Sequence, residues 1–246
     1  MGAKINSGFT IIEVMLVLAI TGMLAVGILV GAGISIGQQR YRDSVNSLKS
    51  YLQDQYNDTS NVLNARGANW ACDSLAGVVE NAGGGQARGT SDCVMLGRFV
   101  TVGDDGVTLT ASNVVGYRTT TGPDAGSDIT ELQTNYKLGI SPIDQEETKV
   151  NWGAQIVKPK TTAPMPLSVL IIRSPLSGVI MTFSAPGVTT DLNGLVDSNN
   201  LKTVRDMCVN ADAGTFVGRR LEVQITPYAS SQGAVQIPPE SASICD

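Results

Sequence analysis

The sequence contains no histidine. This absence excludes Ser-His-Asp and Cys-His catalytic arrangements, and it excludes the commonest zinc ligand sets. Basic residues are in the minority, because 17 Lys and Arg stand against 22 Asp and Glu and leave a formal net charge of −5. That balance argues against a general nucleic-acid binder, which usually carries a basic surface. The composition therefore predicts no histidine-dependent enzyme and no nucleic-acid partner.

No pattern in the sequence predicts a cofactor or a catalytic site. One turn-rich loop does bring several oxygen ligands together, because Asp191, Asn193 and Asp197 lie close in sequence. Carboxylate and amide oxygens are ligands that Ca²⁺ accepts, although the spacing does not fit the twelve-residue loop with its terminal Glu. These three residues are a candidate calcium site, with a solvated loop as the alternative.

Charged residues are also missing from one long stretch of the chain. Residues 14–36 are uncharged and are dominated by Leu, Val, Ile, Met and Ala, which suits a helix that is apolar on all sides. As a helix, residues 9–36 span roughly 42 Å, enough to cross the ~30 Å hydrocarbon core of a membrane. Small residues that permit close helix–helix approach recur along it, at Gly22, Gly27, Gly31, Gly33 and Gly37.

A single carboxylate, Glu13, stands at the start of this run. A carboxylate at the bilayer centre costs on the order of 3 kcal/mol, so such residues usually have a function. Near a helix N-terminus the cost falls, because the backbone dipole there favours an anion. Two interpretations follow: a headgroup-level Glu without a special role, or a Glu that pairs with a positive group. Cleavage between Gly8 and Phe9 would create such a group, a new α-amine.

The residues around Glu13 resemble the class III signal of type IV prepilins and pseudopilins. The resemblance rests on a short leader with Lys4, Gly8 before the scissile bond, Phe9 as the new terminus and Glu13 as the fifth mature residue. It covers roughly residues 1–60 of the chain. All of these features must coincide, so the signal is specific for this family.

The resemblance implies how this segment is processed and used. A prepilin peptidase would remove residues 1–8 as a leader and methylate the amine of Phe9. Glu13 would then neutralise the amine of a neighbouring subunit as the helices pack into a filament. Gly22 matches a glycine common in major pilins. The proline often found eight residues later is replaced by Val30, which puts in doubt the local helix melting that such pilins undergo.

The resemblance also implies a function, partners and a location. The chain would be a structural subunit of a type IV pilus, a bacterial surface filament for adhesion and motility. Its partners would be the prepilin peptidase, other copies and other pilins, and an inner-membrane assembly platform. It would be a single-pass membrane protein before assembly and part of an extracellular filament afterwards. The alternatives are a minor pilin or pseudopilin of a type II secretion or DNA-uptake (competence) machine, and a membrane-anchored adhesin that never polymerises.

Two simpler interpretations of the apolar run remain open. One is an ordinary secretory signal with Gly31-Ala32-Gly33 as its cleavage site. Its apolar core would be longer than the usual 7–15 residues, and it would contain Glu13 at its start. The other is a simple uncleaved membrane anchor.

The four cysteines predict a disulfide framework. Cys72, Cys93, Cys208 and Cys245 are an even number, as expected for two disulfides in an exported domain. Three pairings are possible. We favour Cys72–Cys93 with Cys208–Cys245, because these bonds close the shortest loops, each worth roughly 3–4 kcal/mol in the chain-entropy model. A bond that closes the C-terminal loop is also what the resemblance to pilins implies.

The rest of the sequence predicts an α+β fold. Residues 38–64 continue the helix with one mainly apolar stripe, namely Tyr41, Val45, Leu48, Leu52, Gln55, Thr59 and Leu63. Strands are predicted at residues 99–102, 107–110, 114–121, 167–173, 178–183, 221–226 and 234–237. Residues 70–80 are ambiguous, with a short helix as one interpretation.

Three segments follow from these patterns. Residues 1–8 are the predicted leader, and residues 9–64 the predicted pilin-like helix, membrane-spanning in its first half and amphipathic in its second. Residues 65–246 are the predicted extracytoplasmic head, an antiparallel β-sheet unit with two disulfides that packs on the amphipathic half of the helix.

Overall fold

A computed structural model describes residues 10–61, 70–80, 85–86, 90–211, 219–239 and 244–245. Its first element is one uninterrupted helix, α1, Ile11–Ser60. The extended backbone of Thr10 suits an N-cap, and its hydroxyl oxygen accepts a hydrogen bond from the backbone N–H of Glu13 at 3.3 Å. The predicted leader, and the predicted helical residues 9 and 62–64, lie outside the described residues.

The described part of the head contains twelve strands and three short helices. The strands are β1 (Trp70–Cys72), β2 (Val78–Glu80), β3 (Cys93–Val102), β4 (Thr108–Arg118), β5 (Tyr136–Ile140), β6 (Glu146–Lys149), β7 (Gln155–Val157), β8 (Leu167–Arg173), β9 (Ile180–Pro186), β10 (Arg205–Asn210), β11 (Leu221–Ile225) and β12 (Val235–Gln236). The helices are α2 (Asp128–Thr134), α3 (Leu192–Leu195) and α4 (Ser198–Lys202).

All described strand pairs are antiparallel, and they form three sheets. The six-stranded sheet has the order β5-β4-β3-β8-β9, with β6 paired to the other half of the β4 edge. The four-stranded sheet has the order β12-β11-β10-β7, and β1 and β2 form a separate hairpin. The predicted α+β class, a long helix followed by an antiparallel head, is confirmed.

The second half of α1 lies against both larger sheets. Its buried apolar side chains, which include Tyr41, Val45, Leu48 and Leu52, share one core with residues of the six-stranded sheet, such as Val100, and of the four-stranded sheet, such as Val223. Fully burying a side chain of this kind contributes about 1.5–3 kcal/mol. Five large residues of α1 are buried here, so apolar burial contributes strongly to holding the helix on the head.

Several strands were predicted closely, and the differences have local causes. The hairpin at residues 99–110 is confirmed, with Val102 opposite Leu109. The strand predicted from residue 178 begins at Ile180, because Gly178 has a φ of +76° and belongs to the preceding turn. The short helix suggested at residues 70–80 is wrong. The chain reverses there through Asp73, whose carboxylate accepts from the N–H groups of Leu75 and Gly77 and so turns the segment into the β1–β2 hairpin.

Candidate assembly and anchoring helix

The first half of α1 is apolar and uncovered. Every residue from 10 to 36 is exposed, and the first buried position is Gly37. By length and composition, α1 is suited to cross a membrane. Its exposed large apolar side chains are Ile11, Ile12, Val14, Met15, Leu16, Val17, Leu18, Ile20, Met23, Leu24, Val26, Ile28, Leu29, Val30, Ile34 and Ile36. A water-soluble monomer does not keep a continuous apolar surface of this size.

Glu13, a predicted assembly residue, lies in the first turn of α1. The free N–H groups of this turn carry the positive end of the helix dipole, which stabilises a carboxylate there. Gly8 and Phe9, the predicted cleavage pair, lie outside the described residues. The pairing of Glu13 with an α-amine therefore stays a prediction.

Two features of the first half of α1 suit an apolar environment. The hydroxyl of Thr21 donates to the backbone carbonyl of Val17 at 2.8 Å, so its polar group is satisfied within the helix. A Cβ added at Gly22, Gly27 or Gly31 would meet no described atom within 4 Å. The contacts within this chain therefore do not require these glycines, and close approach by another helix is the contact that small residues favour.

The apolar half meets the head at residues 37–43. Here the hydroxyl of Tyr41 donates to the carbonyl of Val209 at 2.8 Å and accepts from the N–H of Leu221 at 2.5 Å, which joins α1 to two strands of the four-stranded sheet. On another side, the indole N–H of Trp152 donates to the carboxylate of Asp43 at 2.6 Å. The guanidinium of Arg40 lies 4.9 Å from the centre of the Trp152 ring.

Further from the apolar half, a buried cation ties α1 to the six-stranded sheet. Arg98 on β3 is almost fully buried and donates to the side-chain oxygens of Gln55 and Asn113, each at 2.9 Å. Its guanidinium also lies 3.8 Å from the half-exposed carboxylates of Asp58 and Glu146. The helix, β3, β4 and β6 therefore share one polar contact. Sequence reasoning missed Arg98, because its partners are distant in the chain.

Two tyrosines of α1, the buried Tyr56 and the half-buried Tyr51, have perturbed hydroxyls. Burial raises the pKa of Tyr56 to about 12, against an opposing hydrogen bond from the hydroxyl of Thr182 at 2.9 Å. Burial, reinforced by Glu146 and opposed by Arg98, raises the pKa of Tyr51 to about 12. The Tyr51 hydroxyl has no hydrogen-bond partner among the described residues. Both hydroxyls therefore stay protonated at physiological pH.

The structure joins Cys72 to Cys93 and Cys208 to Cys245, the pairing favoured from the sequence. Cys208 and Cys245 are fully buried beside Val157. The second bond ties the C-terminal segment to the four-stranded sheet, and a carboxylate oxygen of Glu222 adds a hydrogen bond from the N–H of Ile244 at 3.1 Å. The chain end is therefore held on the head by a covalent and a polar contact.

The three candidate calcium ligands each make other contacts. Asp191 and Asp197 cap the short helices α3 and α4 through the N–H groups of Gly194 and Asn199. The Asn193 amide bridges to β5, because it accepts from the N–H of Leu138 and donates to the carbonyl of Tyr136, both at 3.0 Å. In the described part of the chain, no group of three or more Asp, Glu, Cys or His side chains is arranged to hold a metal. Capping and bridging give these side chains structural roles, and the calcium site stays a prediction.

Comparison with known proteins agrees with the interpretation of the N-terminus. Residues 4–29 match the family model described as the prokaryotic N-terminal methylation motif. This motif is the class III signal of type IV pilins and prepilins, so the resemblance inferred from the sequence is confirmed. No curated protein and no solved structure gives a significant match to the chain. The motif and the apolar half of α1 together support a type IV pilin-like or pseudopilin-like protein that is anchored in a membrane before assembly.

Proposed function

We propose that this chain, which carries the class III signal of type IV prepilins, is a structural subunit of a type IV pilus. It polymerises through the first half of α1 into a surface filament for adhesion and motility. Prepilin peptidase removes residues 1–8 by cutting after Gly8 and methylates Phe9. Other copies, other pilins and an inner-membrane assembly platform are its partners in polymerisation.

The observation that carries this proposal is the change of environment along one helix. From residue 11 to residue 36, α1 is exposed on every side and, apart from Glu13, almost entirely apolar, whereas its second half has one face buried against the head. Two surroundings satisfy an all-round apolar helix: lipid, and other helices of the same kind. A pilin-like subunit uses both in turn, first as a membrane protein and then as part of a filament core.

Glu13 favours assembly over a permanent anchor. An isolated anchor gains nothing from a carboxylate at this position and incurs its desolvation cost. In a bundle of identical helices, the methylated amine of a neighbouring Phe9 supplies the opposite charge in a low-dielectric surrounding, where such a pair is strong. The same carboxylate then selects a fixed stagger between subunits, because only one offset brings the two charges together.

A second candidate is a minor pilin or pseudopilin of a type II secretion or DNA-uptake machine. The size of the head favours it, since residues 65–246 carry two larger sheets and two disulfides on one helix. A large head is easier to place at a filament tip, or in a short filament with few copies, than in a densely packed shaft. The non-polymerising adhesin is the third candidate, and Glu13 argues against it.

N-terminal peptide mass spectrometry on cell fractions tests the proposal. Material sheared from the cell surface is compared with washed membranes. An abundant methylated terminus at Phe9 in the sheared fraction is the expected result for a pilus subunit. The same terminus found in membranes and scarce in the sheared fraction would favour the minor pilin or pseudopilin. A terminus near Ser35, or an intact Met1 leader in all fractions, would overturn the proposed processing.

A further inference from the structure

Trp152 lies beside the point where α1 leaves the head. It is separated from Arg40 and Asp43 by more than a hundred residues of sequence, yet it contacts both side chains. Its indole N–H is satisfied by Asp43, while 53% of the residue stays exposed. One edge of the ring system is therefore fixed on the helix, and much of its apolar surface has no cover from the described residues.

The backbone holds Trp152 in a costly conformation. Its φ is +58° within the 3-10 turn Asn151–Gly153, a left-handed conformation that bulky residues rarely adopt. Such outliers persist only where the surrounding structure enforces them, and they cluster at functional positions. Here the hydrogen bond to Asp43 and the contact with Arg40 hold one side of the ring, while the rest of the ring stays exposed.

A bilayer centred on the uncharged stretch of α1 would have its surface at the height of Trp152. Residues 14–39 carry no charge, and at 1.5 Å per residue they measure roughly 39 Å. Centred on a hydrocarbon core of ~30 Å, this stretch places Arg40 roughly 5 Å outside the core, in the headgroup layer. Tryptophan is enriched at that depth, because its ring is apolar and its N–H is polar.

Charges of both signs lie at this end of the head. Arg40 and Arg42 are opposed by Asp43 on the same helix. The neighbouring turn adds Asp104 and Asp105, and it lies close because the side chain of Gln155 donates to the backbone carbonyl of Asp105 at 2.7 Å.

Basic residues lie at this end as well: Leu221 donates its N–H to the hydroxyl of Tyr41, which places Arg219 and Arg220 beside this part of α1. Arg220 also donates to the carbonyl of Thr161, in the turn that carries Lys158 and Lys160. The experiment must therefore separate insertion of the indole from attraction of these cations to anionic lipid.

We propose that Trp152 inserts into the lipid interface and seats the head on the membrane that α1 spans. The occupant of the exposed ring face is the headgroup and upper acyl layer of the bilayer. The proposal rests on membrane anchoring by α1, as set out under the proposed function. It adds a second contact, from the head itself, that fixes the height and tilt of the subunit before it enters a filament.

Depth-dependent fluorescence quenching in vesicles tests this contact. The sequence has two tryptophans, so Trp70→Phe leaves Trp152 as the only emitter and Trp152→Phe leaves Trp70. Trp70 is the matched control: it lies near the Cys93 end of β3, which at ~3.3 Å per residue is roughly 30 Å from the Val102 end near the membrane. The full chain is reconstituted in phosphatidylcholine vesicles brominated either near the headgroup or near the acyl terminus.

We expect shallow bromines to remove most of the Trp152 emission, deep bromines to remove less, and neither to change the emission of Trp70. Replacing part of the phosphatidylcholine by an anionic lipid is expected to leave this order of quenching unchanged. Equal quenching of both tryptophans, no quenching of Trp152, or quenching that needs anionic lipid would each overturn the proposal. A blue shift of Trp152 without bromine quenching would overturn it in favour of contact with a second copy.

Flotation of the same vesicles separates this proposal from the proposed function. If the chain floats with the lipid and resists alkaline washing but Trp152 is not quenched, anchoring by α1 stands and the interfacial contact fails. If the chain does not float, anchoring by α1 fails and the contact fails with it.

Discussion

The two halves of α1 have the same secondary structure and different surroundings. In the first half, residues 11–36, apolar side chains point in every direction and no described part of the head covers them. In the second half, residues 37–60, the apolar and small residues form one face, and that face is buried against two sheets. The distribution of side chains around the axis, rather than helix formation, decides what each half contacts.

Polar groups sharpen the contrast between the halves. In the second half, Tyr41 and Gln55 find partners on the head, at Val209 and Arg98. In the first half, Thr21 bonds to its own helix, and Glu13 is the one ionisable side chain between residues 10 and 39. The second half is thus completed within the chain, whereas the first half needs a partner from outside.

Glu13→Val is expected to have the largest effect on the first half. The variant keeps the helix apolar and so keeps membrane insertion, but it removes the partner of the neighbouring amine. We expect sheared filaments to fall below about a tenth of the wild-type amount, equivalent to about 1.4 kcal/mol or more per subunit contact. Quantitative immunoblotting of sheared and membrane fractions measures it.

Val17→Ala is the matched control, since it changes an exposed apolar residue one turn further along and leaves the charge in place. Its filaments are expected near the wild-type amount, and the membrane fractions of both variants are expected to contain the cleaved chain. Normal filaments from Glu13→Val would refute the assembly role of this carboxylate.

Leu→Ala in the second half of α1 should destabilise the head, whereas Leu→Ala in the first half should not. Leu52 is 2% exposed and Leu24 is 62% exposed. Leu52→Ala removes buried methyl groups and leaves a cavity, and we expect a loss of about 4 kcal/mol in the free energy of unfolding of the head. Leu24→Ala is expected to change that free energy by less than about 0.5 kcal/mol. Urea unfolding of the full chain in mild detergent measures both, and equal effects would contradict the division.

Sequence patterns predicted the division of α1 well, because a run without charge and a one-sided stripe are local properties. They under-estimated the width of the buried face: Ser44 and Tyr56 are buried but lie off the predicted stripe. The helix contacts two sheets, so a wider arc is covered than one sheet would cover. Leu63, the last predicted member of the stripe, lies outside the described residues.

Long-range contacts were beyond sequence reasoning. In the sequence Arg98 is a polar residue next to a predicted strand, and only the fold brings it to Gln55 and Asn113. In the sequence Trp152 is an isolated aromatic residue, and only the fold brings it to Arg40. The disulfides were the exception, because the loop-closure entropy that favours the shortest loops can be estimated from sequence separation alone.

Arg98→Met probes how the second half is held to the sheet. The change keeps an unbranched chain of similar length but leaves the oxygens of Gln55 and Asn113 without this donor in a buried site. Since each unsatisfied buried group costs about 1–3 kcal/mol, we expect a loss of about 3 kcal/mol in the free energy of unfolding.

Arg173→Met is the matched control for Arg98→Met, because Arg173 is exposed at the end of β8. Its free energy of unfolding is expected to stay within about 0.5 kcal/mol of wild type. An Arg98→Met protein as stable as this control would mean that the buried cation contributes no net stability to the contact between α1 and the sheet.

Tyr56→Phe and Tyr51→Phe are expected to have the smallest effects on stability. Their difference tests which of the two hydroxyls has a hydrogen-bond partner. Tyr56→Phe removes the acceptor of the Thr182 hydrogen bond and should cost about 1 kcal/mol at pH 7. Tyr51→Phe removes a buried hydroxyl that has no partner among the described residues, so we expect no loss of stability. A larger loss for Tyr51→Phe than for Tyr56→Phe would contradict this assignment of partners.

Unfolding at alkaline pH measures the contribution of the Tyr56 hydroxyl to stability separately. Its pKa is about 12 in the folded chain and about 10 in an unfolded chain, so above pH 10 the unfolded state loses a proton that the folded state keeps. The free energy of unfolding should therefore be independent of this group below pH 10 and fall by up to about 1.4 kcal/mol per unit between pH 10 and 12. Urea titrations at these pH values should show a shallower fall for Tyr56→Phe. If the free energy of unfolding fell equally steeply with pH in Tyr56→Phe and in wild type, the Tyr56 hydroxyl would ionise as readily in the folded chain as in the unfolded one. That result would contradict the burial of Tyr56 against the six-stranded sheet.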